Sequence, residues 1–217
     1  MNTPTESDVR FSHEFGNELE RLLAWRRDVR RFRSDPLPEG LLEELVSATR
    51  FAPSVGYSQP SRFVRVDDET RRAAVIAEYE RCNASAAASY DGDRLAAYKQ
   101  LKLAGLREAP IHLAVFADTA TSRGQGLGRR TMPETLAQSA GIAVHTLWLV
   151  ARAKGVGVGW VSILEPAAVT RILSVPEDWK LVAYLCLGYP QEEHEDRELA
   201  RAGWESHDPA STELLQR

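Results

Sequence analysis

The sequence predicts an α+β fold, in which helices pack as a layer against a small sheet. Segments with helical spacing of apolar residues outnumber the strand-like segments, of which there are about four. Two helical segments precede the first strand, so the regular strand–helix alternation of a parallel α/β sheet is not expected. A chain of 217 residues is long enough to bury a core and short enough to form one domain, so we expect residues 1–217 to be a single domain.

The individual elements follow from the spacing of apolar residues and from helix-ending signals. Residues 131–134 form a capping-box pattern with a proline in the first turn, and Gly155 is a suitable helix stop. Predicted helices cover residues 19–25, 38–46, 69–89, 93–108, 133–154 and 166–173. Predicted strands cover residues 63–66, 111–116, 158–163 and 181–187.

Composition and charge exclude several classes of protein. The net charge of -4 does not favour sequence-independent binding of nucleic acid. Cys82 and Cys186 are far apart, and the five histidines lack metal-ligand spacing, so we expect neither a disulfide nor a metal site. The first twenty residues lack the apolar core of a secretory signal, and residues 142–153 are too few to span a bilayer. We therefore expect a cytoplasmic protein without a membrane partner.

The stretch 26–33, RRDVRRFR, contains five arginines around one aspartate, Asp28. A solvated loop is the usual role of a charged run. Five guanidinium groups this close together repel one another, however, unless an anion or a partner relieves them. Arginine binds phosphate and carboxylate through two parallel hydrogen bonds, so a phosphorylated ligand would serve.

Two further motifs bear on function. The stretch 155–160, GVGVGW, follows a predicted helix and precedes a strand, which is the reverse of a dinucleotide-binding fingerprint. Its glycines are expected to let the backbone approach a flat ligand or another chain. The second motif is APSVGYSQP at residues 52–60. The sequence contains neither a phosphate-binding loop with lysine nor the Gly-x-Ser-x-Gly elbow of many hydrolases.

Taken together, RRDVRRF, APSVGYSQP and GVGVGW resemble the nitroreductase-like flavoprotein family. The resemblance covers about residues 18–190 and leaves a charged C-terminal tail at 191–217, which we expect to be peripheral. It implies a central, mainly antiparallel sheet flanked by helices. It also implies a homodimer with FMN sites at the subunit interface, each site taking residues from both chains.

The resemblance also implies which residues contact FMN. Arg26, Arg27 and Arg30 would hold the phosphate, the ribityl chain and the polar edge of the ring, and Leu103 would cover the ring within a lid-like stretch, 101–106. The glycine-rich loop at 122–130 is a second candidate lid. The complete implied set is Arg26, Arg27, Asp28, Val29, Arg30, Ser54, Leu103, Val161 and Ser162, with no metal ligand.

Departures from ordinary nitroreductases resemble a flavin-consuming branch of the family. Asp28 replaces a serine, Tyr57 replaces an asparagine, and a loop at 124–136 is added. The branch implies that dioxygen reacts with reduced FMN, which then fragments to 5,6-dimethylbenzimidazole, the lower ligand of cobalamin (vitamin B12), and D-erythrose 4-phosphate. Asp28 would be the catalytic proton acceptor and Ser162 would hydrogen-bond near the reacting oxygen. NAD(P)H would take part only through a separate flavin reductase.

Two alternatives remain open from the sequence. The first is an FMN-dependent NAD(P)H nitroreductase or quinone reductase, which shares the fold and keeps its flavin intact. The second is a non-enzymatic protein whose arginine-rich loop binds nucleic acid or another protein. For Asp28 itself, the alternative to catalysis is a salt bridge that only places Arg26 or Arg30.

Overall fold

The architecture is a four-stranded antiparallel sheet with helices on both faces, seen in a computed structural model that describes residues 11–216. The first ten residues, on which the expectation of no secretory signal partly rests, and residue 217 lie outside the described residues. The strands are β1 (Ser61–Arg65), β2 (Ile111–Asp118), β3 (Gly157–Val161) and β4 (Trp179–Gly188), in the order β1-β2-β4-β3. The helices are α1 (His13–Trp25), α2 (Leu41–Ala48), α3 (Glu69–Ala87), α4 (Gly92–Gln100), α5 (Thr135–Ala153), α6 (Pro166–Leu173) and α7 (Glu198–Arg201).

The sheet separates two hydrophobic cores because successive strand side chains point to opposite faces. Leu113 and Val115 of β2 face a core completed by Val144 and Leu147 of α5. Ala114 and Phe116 of β2 face the other core, which includes Val75 of α3 and Val169 of α6. The α+β prediction and the expected antiparallel sheet are therefore confirmed.

Helix α5 follows the predicted apolar stripe but begins later than predicted. Leu136, Ala140, Ala143, Val144 and Leu147 are buried, as expected, while Val150 is half-buried. The capping-box prediction at 131–134 is wrong. No side chain caps the helix, and the Thr131 hydroxyl donates to the carbonyl of Gly128 instead. Gly155 ends the helix as predicted, with φ at 74° and the Val156 amide donating to the carbonyl of Ala151.

The predicted helix 93–108 is wrong in its second half. Helix α4 ends at Gln100, and Leu101 is extended, with ψ at 131°. Residues 101–105 form no regular structure, and a turn follows at 106–108 before β2 begins. Because the chain leaves the helix at residue 101, the segment that follows can contact the arginine-rich stretch. Among residues 11–216, none of the helices combines the length and hydropathy that a membrane span requires.

Candidate active site

The arginine-rich stretch, residues 26–33, lies along the open edge of β3. Asp28 forms an isolated parallel bridge with Val158, and the amide of Val29 donates to the carbonyl of Val158 at 3.0 Å. Farther along, Phe32 bridges to Pro190 and is buried, with 4% of its surface exposed. An edge strand presents unpaired backbone groups, and this stretch pairs with two of those of β3, the carbonyl of Val158 and the amide of Trp160. The charged side chains are therefore fixed to the sheet by the backbone.

The glycines of β3 make this close approach possible. A Cβ atom at Gly159 would overlap the carbonyl oxygen of Val29, and one at Gly157 would lie 2.8 Å from the Val29 side chain. The sequence predicts that these glycines admit a flat ligand or another chain. Within the chain, Gly157 and Gly159 admit the arginine-rich stretch, and the approach of a flat ligand or another chain stays a prediction.

Both carboxylate oxygens of Asp28 are held. One accepts a hydrogen bond from Nε of Arg30 at 2.7 Å, and the other accepts one from the backbone amide of Trp160 at 2.8 Å. The Asp28 side chain is 30% exposed, whereas that of Arg30 is only 13% exposed. A carboxylate oxygen can accept more than one hydrogen bond. Asp28 is therefore fixed in orientation and still reachable by a ligand.

The other arginines of the stretch differ in their partners. Arg31 pairs with Glu198 at 2.7 Å, and Arg33 pairs with Asp35 at 2.8 Å. Arg26 stacks on the ring of Trp148, 4.8 Å from its centroid. Arg27 donates to the backbone carbonyls of Glu195 and of Arg26.

Arg26 and Arg27 therefore carry the uncompensated charge of this stretch. Neither has a carboxylate within 4.0 Å among residues 11–216, by contrast with Arg30, Arg31 and Arg33. The pKa of Arg27 lies below its ordinary value, first because of burial and then because of repulsion from Arg197 and Arg26. An anion bound between Arg26 and Arg27 would relieve that repulsion.

The segment that contains Leu103 contacts the arginine-rich stretch through Arg30. The Nη1 atom of Arg30 donates to the carbonyl of Lys102 at 3.1 Å. This bond holds the residue before Leu103 against the arginine-rich stretch, while the covering of a flavin ring by Leu103 stays a prediction. Leu103 is half-buried.

Val161 and Ser162 stand at the end of β3, just beyond the amide that holds Asp28. Val161 is 4% exposed and belongs to the core shared with α3 and α6, whereas Ser162 is exposed. Of the implied set, Arg27, Asp28, Val29 and Arg30 line one cavity, whereas Arg26, Leu103, Val161 and Ser162 do not line it.

Ser54 lies apart from this group within the chain. It lines a cavity of about 270 Å³ with residues of α2, α5 and the start of β1, and its Oγ accepts the amide of Gln59 at 3.0 Å. The cavity that contains Asp28 is a different one, of about 50 Å³. The glycine-rich loop packs on the Ser54 loop, where Arg123 donates to the side chain of Gln59 at 2.7 Å.

The tail is not peripheral in its first part, contrary to the expectation from sequence. The amide of Gln191 donates to the carbonyl of Arg31 at 3.0 Å, and Glu192 and Glu198 pair with the Arg31 side chain. Farther along, Glu193 receives two hydrogen bonds from Arg152, which lower the pKa of this glutamate. The acidic run at 191–198 thus lies along the basic run at 26–33.

Sequence reasoning missed two contributors to the site. The acidic tail could have been found from its charge, which is complementary to the arginine-rich stretch. The Trp160 amide could not, because every residue except proline supplies a backbone donor.

Comparison with known proteins gives concordant results. Residues 23–189 match the Nitroreductase family. A 5,6-dimethylbenzimidazole synthase of Rhodospirillum rubrum is 55% identical over 199 residues, covering 92% of this chain and 94% of the relative. A protein of the same name from Rhodobacter capsulatus is 44% identical over 205 residues, covering 94% of this chain and 99% of the relative.

A solved structure shares the fold. The crystal structure of oxidized iodotyrosine deiodinase bound to FMN and 3-iodo-L-tyrosine superposes with a TM-score of 0.71 at 24% identity, covering 92% of this chain and 97% of that chain. The resemblance drawn from the three motifs is thereby confirmed. The chain belongs to the nitroreductase family and groups there with the 5,6-dimethylbenzimidazole synthases.

Proposed function

We propose that the chain catalyses the oxygen-dependent fragmentation of reduced FMN to 5,6-dimethylbenzimidazole and D-erythrose 4-phosphate, which supplies the lower ligand of cobalamin. The names of the relatives at 55% and 44% identity support this reading. The observation that carries it is Asp28, a carboxylate fixed by Arg30 and by the Trp160 amide at the exposed end of β3. An electron-shuttling flavoprotein has no need of a fixed base at this position.

Arg26 and Arg27 bind the FMN phosphate in this proposal. A phosphate monoester carries nearly two negative charges at neutral pH and suits the two arginines that have no carboxylate partner among residues 11–216. Arg30 lies between Asp28 and the Lys102 carbonyl and places a positive charge where a reduced flavin ring is anionic. Val29 and Val161 contribute apolar contact beside these groups.

The chain's own residues perform the proton chemistry. Reduced FMN supplies the carbon atoms of both products and reacts with dioxygen. Asp28 accepts a proton from the ribityl carbon attached to the ring, because it is held in one orientation and keeps free lone pairs. The exposed hydroxyl of Ser162 donates or accepts a hydrogen bond near the reacting oxygen. Leu103 and its segment exclude water from the ring.

We further propose a homodimer in which Ser54 of the partner subunit completes each site. Helix α1 has no buried residue, and Phe15, Leu19 and Leu23 are 49%, 41% and 43% exposed. An amphipathic helix with its apolar face in water is the signature of a missing partner. Ser54 lies in a separate cavity from Asp28, which fits a site assembled from two chains.

The reduced flavin comes from a separate NAD(P)H-dependent flavin reductase in the cytoplasm. The test supplies that activity: the purified chain is mixed in air with FMN, NADPH and a flavin reductase, and the absorbance of the flavin is followed. Loss of FMN in step with formation of a benzimidazole is the expected result. Continued NADPH oxidation with FMN intact, above the rate of the reductase alone, would refute the proposal and favour the nitroreductase or quinone reductase alternative.

The role of Asp28 is tested with the variant Asp28→Asn. We expect it to bind FMN with an affinity close to that of the unmodified protein, because the amide side chain fills the same volume, and to form no benzimidazole. A matched control is Asp35→Asn, since Asp35 is also paired with an arginine two residues away, at 2.8 Å, but lies outside the site. Loss of FMN binding in Asp28→Asn would instead assign Asp28 to the placement of Arg30.

A further inference from the structure

The segment 101–106, between α4 and β2, which the resemblance assigns as a cover of the site, contacts Arg30 and has very little backbone support. In the described chain, no amide of residues 102–104 donates to a backbone carbonyl. The segment packs closely on the rest of the chain only at its C-terminal end, at residues 105 and 106. There Gly105 packs so closely on the Phe32 ring that a Cβ atom would lie 2.5 Å from it, and Leu106 is 4% exposed. Segments with few backbone hydrogen bonds open at low cost in free energy.

At the N-terminal end of the segment, side-chain contacts take the place of the missing backbone hydrogen bonds. Lys102 contributes its carbonyl and its ammonium group. Its carbonyl accepts the Arg30 guanidinium at 3.1 Å, and its ammonium group lies 2.6 Å from Oε1 of Glu108. The second oxygen of Glu108 is buried and has no hydrogen-bond partner among the described residues. A buried carboxylate oxygen without a partner is unfavourable, so some other benefit must account for an acid at this position.

We propose that Lys102 and Glu108 are positioning residues: their ion pair closes residues 102–108 into a clip that holds the Leu103 cover down and keeps Arg30 on Asp28. Arg30 is the link, because its Nε binds Asp28 and its Nη1 binds the Lys102 carbonyl. When the ion pair is formed, the guanidinium of Arg30 holds both the segment that carries Leu103 and the carboxylate of Asp28. When the clip opens, Arg30 loses one of its two anchors.

The consequence for the reaction rests on the proposed function. Reduced flavin that meets dioxygen in a wet site returns to oxidised FMN and releases hydrogen peroxide, a balanced two-electron transfer that destroys no carbon skeleton. A closed cover excludes water and favours fragmentation. The clip therefore controls how much of the reduced FMN becomes benzimidazole and how much escapes as oxidised FMN. A residue needed only for stability would change the amount of folded protein and leave that ratio unaltered.

The first experiment uses the ligand-free full chain. Hydrogen exchange of the amides of Leu101 and Ala109, which donate to the carbonyls of Tyr98 and Gly105 at the two ends of the segment, is compared in the unmodified protein, Lys102→Met and Glu108→Gln. A half-exposed ion pair of this kind slows local opening by about two- to fivefold, so both variants should exchange faster by that factor. The matched control is Lys154→Met, because Lys154 also pairs with a glutamate, at 2.7 Å and with similar exposure, away from the site. Unchanged exchange in both clip variants, or an equal change in the control, would overturn the proposal.

The second experiment measures the fate of reduced FMN in a single turnover with excess protein. The clip variants should raise the ratio of hydrogen peroxide to benzimidazole by about two- to fivefold. Lys102→Arg, which keeps the charge, should restore the original ratio. An unchanged ratio in variants whose amides exchange faster would overturn the link to the reaction. If the unmodified protein forms no benzimidazole, the proposed function fails, and the exchange experiment alone decides whether the clip exists.

Discussion

The substitution Gly159→Ala tests whether the arginine-rich stretch depends on its contact with β3. The added methyl group overlaps the carbonyl oxygen of Val29, so the stretch must lift off the strand edge. Lifting breaks the bond from the Val29 amide to the Val158 carbonyl, worth about 1 kcal/mol, and the bond from the Trp160 amide to the Asp28 carboxylate, worth about 1.5–3 kcal/mol. We therefore expect the free energy of unfolding to fall by about 2–4 kcal/mol.

The assay is urea unfolding followed by tryptophan fluorescence, with Gly141→Ala as the control. Gly141 lies within α5, and a Cβ atom there would meet nothing within 4 Å. The same chemical change should stabilise the protein there by about 0.5–1 kcal/mol, because alanine favours the helix. A Gly159→Ala variant within 0.5 kcal/mol of the unmodified protein would refute the reasoning, since the stretch would then be free to shift at no cost.

Two further predictions concern acid stability and assembly. Burial, followed by repulsion from Arg72, lowers the pKa of His112 to about 4, so the stabilisation is complete above the unfolded pKa of about 6.5 and is lost as pH falls toward 4. Urea unfolding at pH 7 and pH 4.5 should show a loss of about 2 kcal/mol from this group, and His112→Asn should remove that share of the pH dependence. If the dependence is the same in both proteins, the histidine is not the cause. Leu19→Glu, on the exposed apolar face of α1, should shift the protein from dimer to monomer in sedimentation equilibrium, and an unchanged dimer would exclude α1 from the interface.

The elements that the sequence predicts well are those whose apolar pattern is decided locally. The run at 111–116 is apolar on both faces and becomes β2, which is covered by helices on both sides. Helix α6 matches its predicted bounds because a proline opens it and the apolar spacing is regular. The stretch 101–108 is also suited to a helix by composition. It leaves the helix because Arg30 and Phe32, about 70 residues earlier in the chain, bind it in an extended form.

In the site, too, the features that depend on local sequence can be predicted and those that depend on long-range contacts cannot. Motifs identify Asp28 and the arginines as chemically suited to FMN, but side-chain identity does not reveal which arginine is already neutralised. That depends on the tail, which returns to residue 31 after more than 150 intervening residues. In the proposed homodimer, the placement of Ser54 in the site would also depend on a contact between the two chains.

The acidic tail helps to explain how five arginines can share eight residues. Three of them, Arg30, Arg31 and Arg33, are neutralised by carboxylates of the same chain, and the partner of Arg31 comes from the tail. Two positive charges remain, on Arg26 and Arg27, and a phosphate monoester carries about -1.5 to -2 charges at neutral pH. Without Glu192 and Glu198, the charge on Arg31 would be left unpaired beside Arg27, which Arg197 and Arg26 already repel. By pairing with Arg31, the tail leaves the positive charges of Arg26 and Arg27, which together match the charge of one phosphate group. Asp28 remains available for the chemistry.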